Sequence, residues 1–263
     1  MKKADKELEI ILSDKLHGSS ELLNLICQHF LKYQDSTAYL QKALIRIRKN
    51  LSHFPVITNF TKYVDHIING KMQESLSDSL RDFSKKRDEV YQAIFKKASK
   101  YLSKYETVLT ISHSRTLIKI LELWKKSNPN LKVIVCESRP EQEGILMAKE
   151  ISKLKIETNI ITEAMSGNII SEIDLIVLGA DQILKNGSII NKTGSRMLAI
   201  LAKYHRIPVV ILASSDKIVN EKISKNKIRA KYDIAPLRVR RIKSRNEIFE
   251  EIENKLITKI FTD

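Results

Sequence analysis

Between Ser19 and Asn128 the chain contains one proline and one glycine, Pro55 and Gly70. More than a hundred residues with so few breakers restrict the fold: long helices joined by short turns are what such a stretch builds. Leu76, Leu80, Phe83, Val90, Ile94, Ala98, Tyr101 and Tyr105 recur at three- and four-residue steps, apart from one skipped turn at Lys86 and Arg87, so one face of a long helix can be buried. "SSELLNLICQHFLKYQ", "STAYLQKALIRIRKNL" and "PVITNFTKYVDHIING" read as shorter helices. Ser19 or Ser20, followed by Glu21, supplies cap chemistry, and Pro55 sits where a first helical turn tolerates proline.

After about residue 105 the pattern changes to short β-branched runs: "TVLTIS" (107–112), "KVIVCES" (132–138), "TNIIT" (158–162), "DLIVLGA" (174–180) and "IPVVILAS" (207–214). Their near-continuous hydrophobicity predicts strands buried on both faces, as in a parallel sheet, and the intervals between them are long enough for helical crossovers. The expectation is an α/β chain, with a helical N-terminal domain (1–105) followed by a mostly parallel, doubly wound sheet domain (106–263). "LITKIFTD" offers a late strand, and 215–236 reads as a charged loop or excursion.

Composition bounds the chemistry. No run of 18 apolar residues is present, and "MKKADKELEI" turns acidic where a signal peptide would continue apolar, which predicts a cytoplasmic protein away from membranes. Cys27 and Cys136 lack CxxC spacing and lie among apolar residues, so buried reduced thiols are expected. A formal charge of +15 favours anionic partners without ranking metabolite, acidic protein or nucleic acid. The tight basic run "RVRRIKSR" (238–245) has no interleaved aromatics, which argues against specific nucleic-acid reading. Histidines in metal-ligand spacing and the GxGxxG and GxxxxGK[ST] loops are absent, so no cofactor is expected.

In a sheet of this kind ligands gather outside the carboxyl ends of the strands. Four polar groups follow strands. In "SHSR" (112–115), Ser112, Ser114 and Arg115 stand where a helix begins and offer donors and a positive charge to a phosphate; Ser114 as a plain helix cap and His113 as an exposed loop residue are the structural alternatives. In "ESRPEQEG" (137–144), Arg139 precedes Pro140 and either meets the ligand or pairs with Glu137 or Glu143, while Glu143 is placed to accept from sugar hydroxyls. Asp181 follows a buried strand, where a carboxylate is partly desolvated and suited to acid–base work or to capping a turn. "KNG" (185–187) reads as a tight turn between short strands. Asn191 and Lys192 then arrive at a helix start near Gly194, where free backbone donors complete an anion cradle. Lys217 offers a second positive charge or is an ordinary exposed lysine.

Taken together, "LTISHSR", "ESRPEQEG", "GADQILKNGSIINKTGS" and "IPVVILASSDK" resemble the superfamily that joins the α, β and δ subunits of translation initiation factor 2B with the isomerases of methylthioribose-1-phosphate and ribose-1,5-bisphosphate. The resemblance implies a Rossmann-like C-terminal domain, dimerisation through it, and a phosphosugar pocket between the domains. It also implies that the isomerases' catalytic aspartate falls on Asp181 and their catalytic cysteine on Ser112. A serine lacks a thiol's acidity unless a dedicated base serves it. The isomerases further carry arginine before a proline where this chain has Phe54 before Pro55, removing one phosphate anchor. Ser112 and "ESRPxxEG" look more like the initiation-factor subunits. The expectation is therefore a regulatory or assembly protein that binds a sugar phosphate or nucleotide monophosphate, as a homodimer or with related initiation-factor subunits. The alternative is an aldose–ketose isomerase in which Asp181 acts with water or His113.

Overall fold

The computed structural model of the chain describes residues 2–14, 16–70, 72, 75–220 and 245–263. The basic run at 238–245, apart from Arg245, and most of the charged stretch at 215–236 lie outside them.

The helical part comprises α1 (Lys2–Ser13), α2 (Ser19–Lys32), α3 (Thr37–Leu51) and α4 (Pro55–Ile68). Their apolar stripes meet in one core around Leu8, Ile26, Phe30, Ile47 and Phe60. Pro55 occupies the first turn of α4, where its missing N–H costs no intrahelical bond. Helix α5 (Leu76–Leu102) runs 27 residues, ~40 Å at 1.5 Å per residue. Leu80 near its start belongs to the helical core, whereas Ile94, Ala98 and Leu102 lie in the core beneath the sheet, so this one helix is shared by both.

The remainder alternates β1 (Thr107–Ile111), α6 (Arg115–Ser127), β2 (Lys132–Cys136), α7 (Glu143–Lys153), β3 (Glu157–Ile161), the single turn α8 (Ser166–Ile169) and β4 (Leu175–Leu178). Then come β5 (Gln182–Leu184), β6 (Ile189–Lys192), α9 (Ser195–His205), β7 (Val209–Leu212), β8 (Ile218–Val219), β9 (Phe249–Ile252) and β10 (Lys259–Phe261). Among the described residues six strands form a wholly parallel sheet in the order β10-β7-β4-β1-β2-β3. Val108, Val133, Val177 and Val210 pack to one face with Trp124 of α6, and Leu109, Ile111, Ile176 and Leu178 to the other with Leu198 of α9. The late strand expected from "LITKIFTD" is β10, paired with β7.

Two features differ from the sequence reading. Burial on both faces fails for β3, which is the sheet edge and exposes Glu157, Asn159 and Ile160, because an apolar run does not reveal which strand comes last. A second sheet, β8-β5-β6-β9, also stands beside the first. Its β5–β6 hairpin turns on Gly187 at φ +81°, a left-handed conformation that glycine adopts without a Cβ penalty.

Chain progression reverses between β1 and β4: β2 and β3 continue to one side, β4 and β7 to the other. This switch point is where a crevice opens outside the carboxyl ends of the strands. Ser112 directly follows β1, and Gly179, Ala180 and Asp181 directly follow β4.

Candidate functional site

A cavity of about 810 Å³, its open mouth included, lies at this switch point, walled on the other side by the starts of α2 and α4. All four predicted loops reach it: Ser112, Ser114 and Arg115 from the first, Glu143 from the second, Asp181, Asn191 and Lys192 from the third, Lys217 from the fourth. Arg139 is the exception and corrects the expectation of a ligand contact. It is exposed and absent from the described cavity lining, its backbone N–H donates to Glu163 at 3.0 Å, and among the described residues its guanidinium forms no ion pair with Glu137 or with Glu143, which pairs with Lys192.

Ser112 has φ +70°, a left-handed conformation unusual for a residue with a Cβ. Its N–H donates to Ser138 Oγ at 2.7 Å and its hydroxyl donates to Glu143 Oε1 at 2.9 Å. Glu143 opens α7 and is carried against the end of β2 by Gly144, where an added Cβ would stand 1.9 Å from the Cys136 carbonyl oxygen. Lys192 Nζ lies 2.6 Å from the same Glu143 Oε1, both side chains almost fully buried, while Oε2 is buried with no hydrogen-bond partner among the described residues. Burial pushes the Glu143 carboxyl above its ordinary range, against the opposing pull of Lys192 and Ser112.

Across the cavity Asp181 accepts a hydrogen bond of 3.0 Å from Ser19 Oγ. The expected capping role of Ser19 and Ser20 is thereby corrected. The N-cap of α2 is Gly18, without a side-chain bond, and Ser20 Oγ instead meets Thr116 Oγ1 at 3.4 Å. The start of α2 spends its hydroxyls on the sheet part of the molecule, which joins the two halves at the cavity.

Lys217 is not an exposed lysine: it retains 4% of its surface and lines the cavity. Burial lowers its proton affinity despite attraction from Asp181 and Asp216, and among the described residues no hydrogen bond or ion pair reaches its ammonium. Its loop is held from below, since Asp216 pairs with Arg87 of α5 and accepts from Ser214 Oγ.

The expected anion cradle at the start of α9 is also corrected. The Gly194 and Arg196 N–H groups donate to Glu250 Oε1 at 2.7 and 2.8 Å, so a carboxylate from β9 already occupies that helix terminus. Asn191 Nδ2 donates to Ser195 Oγ at 3.0 Å. Arg115 is ion-paired with Glu21 of α2, and Ser114 caps α6 by accepting from the Leu117 N–H. His113 is buried at 3% exposure, not a surface loop residue; desolvation favours its neutral ring, and Nε2 stands 3.4 Å from Glu150. Phe54 gives the cavity an apolar wall with Phe249, their rings 6.1 Å apart.

Sequence reasoning missed Ser19, Glu250 and Phe249. Only Ser19 carried a signal, a polar residue among the apolar positions of an amphipathic helix. Both cysteines are buried and unpaired, with burial raising the thiols to about 11 at Cys27 and about 12 at Cys136. Among the described residues no helix is long and apolar enough to cross a membrane, and no group of three or more His, Cys, Asp or Glu is gathered that could hold a metal ion.

An eIF-2B subunit 2-like protein of Pyrococcus furiosus is 26% identical over 265 residues, covering 99% of this chain and 95% of that protein. A ribose 1,5-bisphosphate isomerase of Archaeoglobus fulgidus is 24% identical, over 97% of this chain and 86% of its own. The solved translation initiation factor eIF-2B of Pyrococcus horikoshii OT3 superposes with a TM-score of 0.82 at 21% identity, covering 100% of this chain and 95% of that one, and so shares the fold. Factor subunits and isomerases are thus both among the relatives. The model of the Initiation factor 2 subunit family matches residues 27–263, and the chain belongs to that family.

Proposed function

We propose that this chain is an initiation-factor-2B-like regulatory or assembly protein that binds a sugar phosphate or nucleotide monophosphate in the switch-point cavity. The observation that carries the reading is Lys217, a buried ammonium that lines the cavity without an ion pair among the described residues. A buried charge left in this state is costly, and an anionic ligand supplies the missing partner. Asp181, Asn191 and Ser112 line the same cavity and offer acceptors and donors for sugar hydroxyls. In this reading the protein is cytoplasmic, works as a homodimer or beside related initiation-factor subunits, and holds the ligand between a helical domain, 1–105, and a sheet domain, 106–263. Thermal melting against ribose 5-phosphate, ribose-1,5-bisphosphate and adenosine 5′-monophosphate tests it, because a ligand preferring the folded state raises the melting temperature. A panel without a shift refutes it. Co-purification with initiation-factor-2 subunits tests the role in translation.

A second reading, aldose–ketose isomerisation of a phosphorylated pentose, is favoured by the Ser112–Glu143 hydrogen bond, since it gives the serine the nearby carboxylate it otherwise lacks. Ketose formation from ribose-1,5-bisphosphate or methylthioribose-1-phosphate, followed by NMR and abolished in Asp181→Asn, would establish it.

A further inference from the structure

Glu143 is built in a way that ligand recognition alone does not require. One carboxylate oxygen receives both the Ser112 hydroxyl and the Lys192 ammonium, and the other is buried without a hydrogen-bond partner among the described residues. A carboxylate with one oxygen unsatisfied in an apolar setting keeps its charge only because the ammonium is there. Lys192 also lines the cavity, where the proposed function would have it meet a phosphate. The two demands on Lys192 compete.

We propose that Glu143 is a proton acceptor gated by the ligand: an arriving phosphate draws the Lys192 ammonium away from it, and the carboxyl takes up a proton. This rests on the reading that the cavity binds a phosphorylated sugar or nucleotide. The charge balance is simple. The ammonium changes partner from carboxylate to phosphate, the carboxylate is neutralised by one proton from solvent, and no bond to carbon changes. Ser112 is the exchange route: its hydroxyl, already directed at Oε1 at 2.9 Å, passes its proton there while Oγ receives one from solvent in the cavity. Glu143 acts through Ser112 and is a positioning and proton-storing residue. Burial already places the carboxyl above its ordinary range, so losing the ammonium moves it further toward neutrality. The charged or titratable groups sharing the cavity with Glu143 are Lys192 on β6, His113 and Arg115 beside β1, Asp181 after β4, Lys217 before β8, Asp14 and His17 before α2, which pair with each other at 2.6 Å, and His53 before α4. Asp181 has Ser19, Arg115 has Glu21 and His113 has Glu150 beside it, which leaves the Lys192–Glu143 pair as the one whose ammonium a phosphate can recruit while stranding a buried carboxylate.

The test is calorimetric titration of ribose 5-phosphate and of adenosine 5′-monophosphate in buffers of different ionisation enthalpy between pH 5.5 and 7.5. The phosphate sheds part of its own proton on meeting an ammonium, equally in all variants, so the difference between proteins isolates Glu143. Wild type is expected to take up more protons per ligand than Glu143→Gln, the difference approaching one. Equal uptake with binding intact overturns the inference and leaves the binding reading standing; no binding of either probe to wild type removes both. Infrared difference spectra of wild type alone guard against a variant that fails to fold. A new protonated-carboxyl band on adding ligand is the expected result, and its absence at saturation overturns the proposal.

Discussion

Replacing Lys217 by methionine separates the cost of the site from its use. Methionine keeps the buried aliphatic stem and removes the ammonium, so no large cavity is created. The direction of the Lys217 shift already draws the balance: attraction to Asp181 and Asp216 does not offset desolvation, so the neutral side chain suits the unliganded fold better. Comparable replacements of buried charge by apolar volume stabilise by ~1–3 kcal/mol, or ~2–4 °C of melting temperature per kcal/mol in a chain of this size. The ligand loses a charge-assisted bond of ~1.5–3 kcal/mol, which weakens its dissociation constant by ~10–100-fold. The pH dependence has a definite sign. A lysine whose proton affinity is lowered by folding binds more protons in the unfolded chain, so its destabilising contribution is full below the folded pKa. It fades as pH rises toward the unfolded value near ~10.4. The stability gap between Lys217→Met and wild type should therefore narrow as pH increases through the alkaline range. Melting curves at several pH values and ligand titration together read all three effects. A variant that melts below wild type, or that binds phosphosugar as tightly, refutes the reasoning.

The other expectations concern how the site is held. Ser19→Ala removes the buried hydrogen bond to Asp181 and is expected to cost ~1–3 kcal/mol, measured by urea denaturation, with weaker ligand binding as a second readout. Glu250→Ala uncaps α9 and should cost ~1–2 kcal/mol by the same measurement, since the Gly194 and Arg196 N–H groups lose their shared acceptor. Gly144→Ala forces a Cβ into the Cys136 carbonyl and should destabilise by ~4 kcal/mol or more, seen as loss of folded protein on expression. Cys27 and Cys136, with thiols raised to about 11 and about 12, should resist a thiol reagent at pH 8 until denaturant unfolds the chain.

The parts of the fold that could be read from sequence were those with a local signature. The breaker-free stretch from Ser19 to Asn128 delivers α2 to α6, and the β-branched runs deliver the strands of the parallel sheet. The second sheet had only one such signature. The "KNG" turn announced the β5–β6 hairpin, but β8 is two residues long and β6 pairs with β9 across more than fifty residues of chain, so nothing local announces the rest. Burial was legible for apolar residues and illegible for charged ones. Lys217 reads as an ordinary lysine because its burial is assembled by Arg87 of α5, which holds the adjacent Asp216 from 129 residues away, and by the cavity walls, none of which the local sequence specifies.

The same limit explains why the site looked more cationic in sequence than it is. Arg115, Lys192 and the N-terminus of α9 each promise an anion site when read locally. In the folded chain each meets a carboxylate: Arg115 meets Glu21, 94 residues away, Lys192 meets Glu143, and the α9 terminus meets Glu250, 56 residues beyond Gly194. On the proposed reading a phosphate must displace a paired carboxylate at each of these points, whereas at Lys217 it meets only the charge attraction of Asp181 and Asp216, with no ion pair among the described residues to break. Affinity should therefore concentrate on one residue, while displacement of an internal carboxylate at Lys192 is the event through which binding can alter the state of the protein. The carboxylates offset buried charge within the fold, and on the proposed reading Lys217, drawn by Asp181 and Asp216 but without an ion pair among the described residues, is the ammonium left for an anionic ligand.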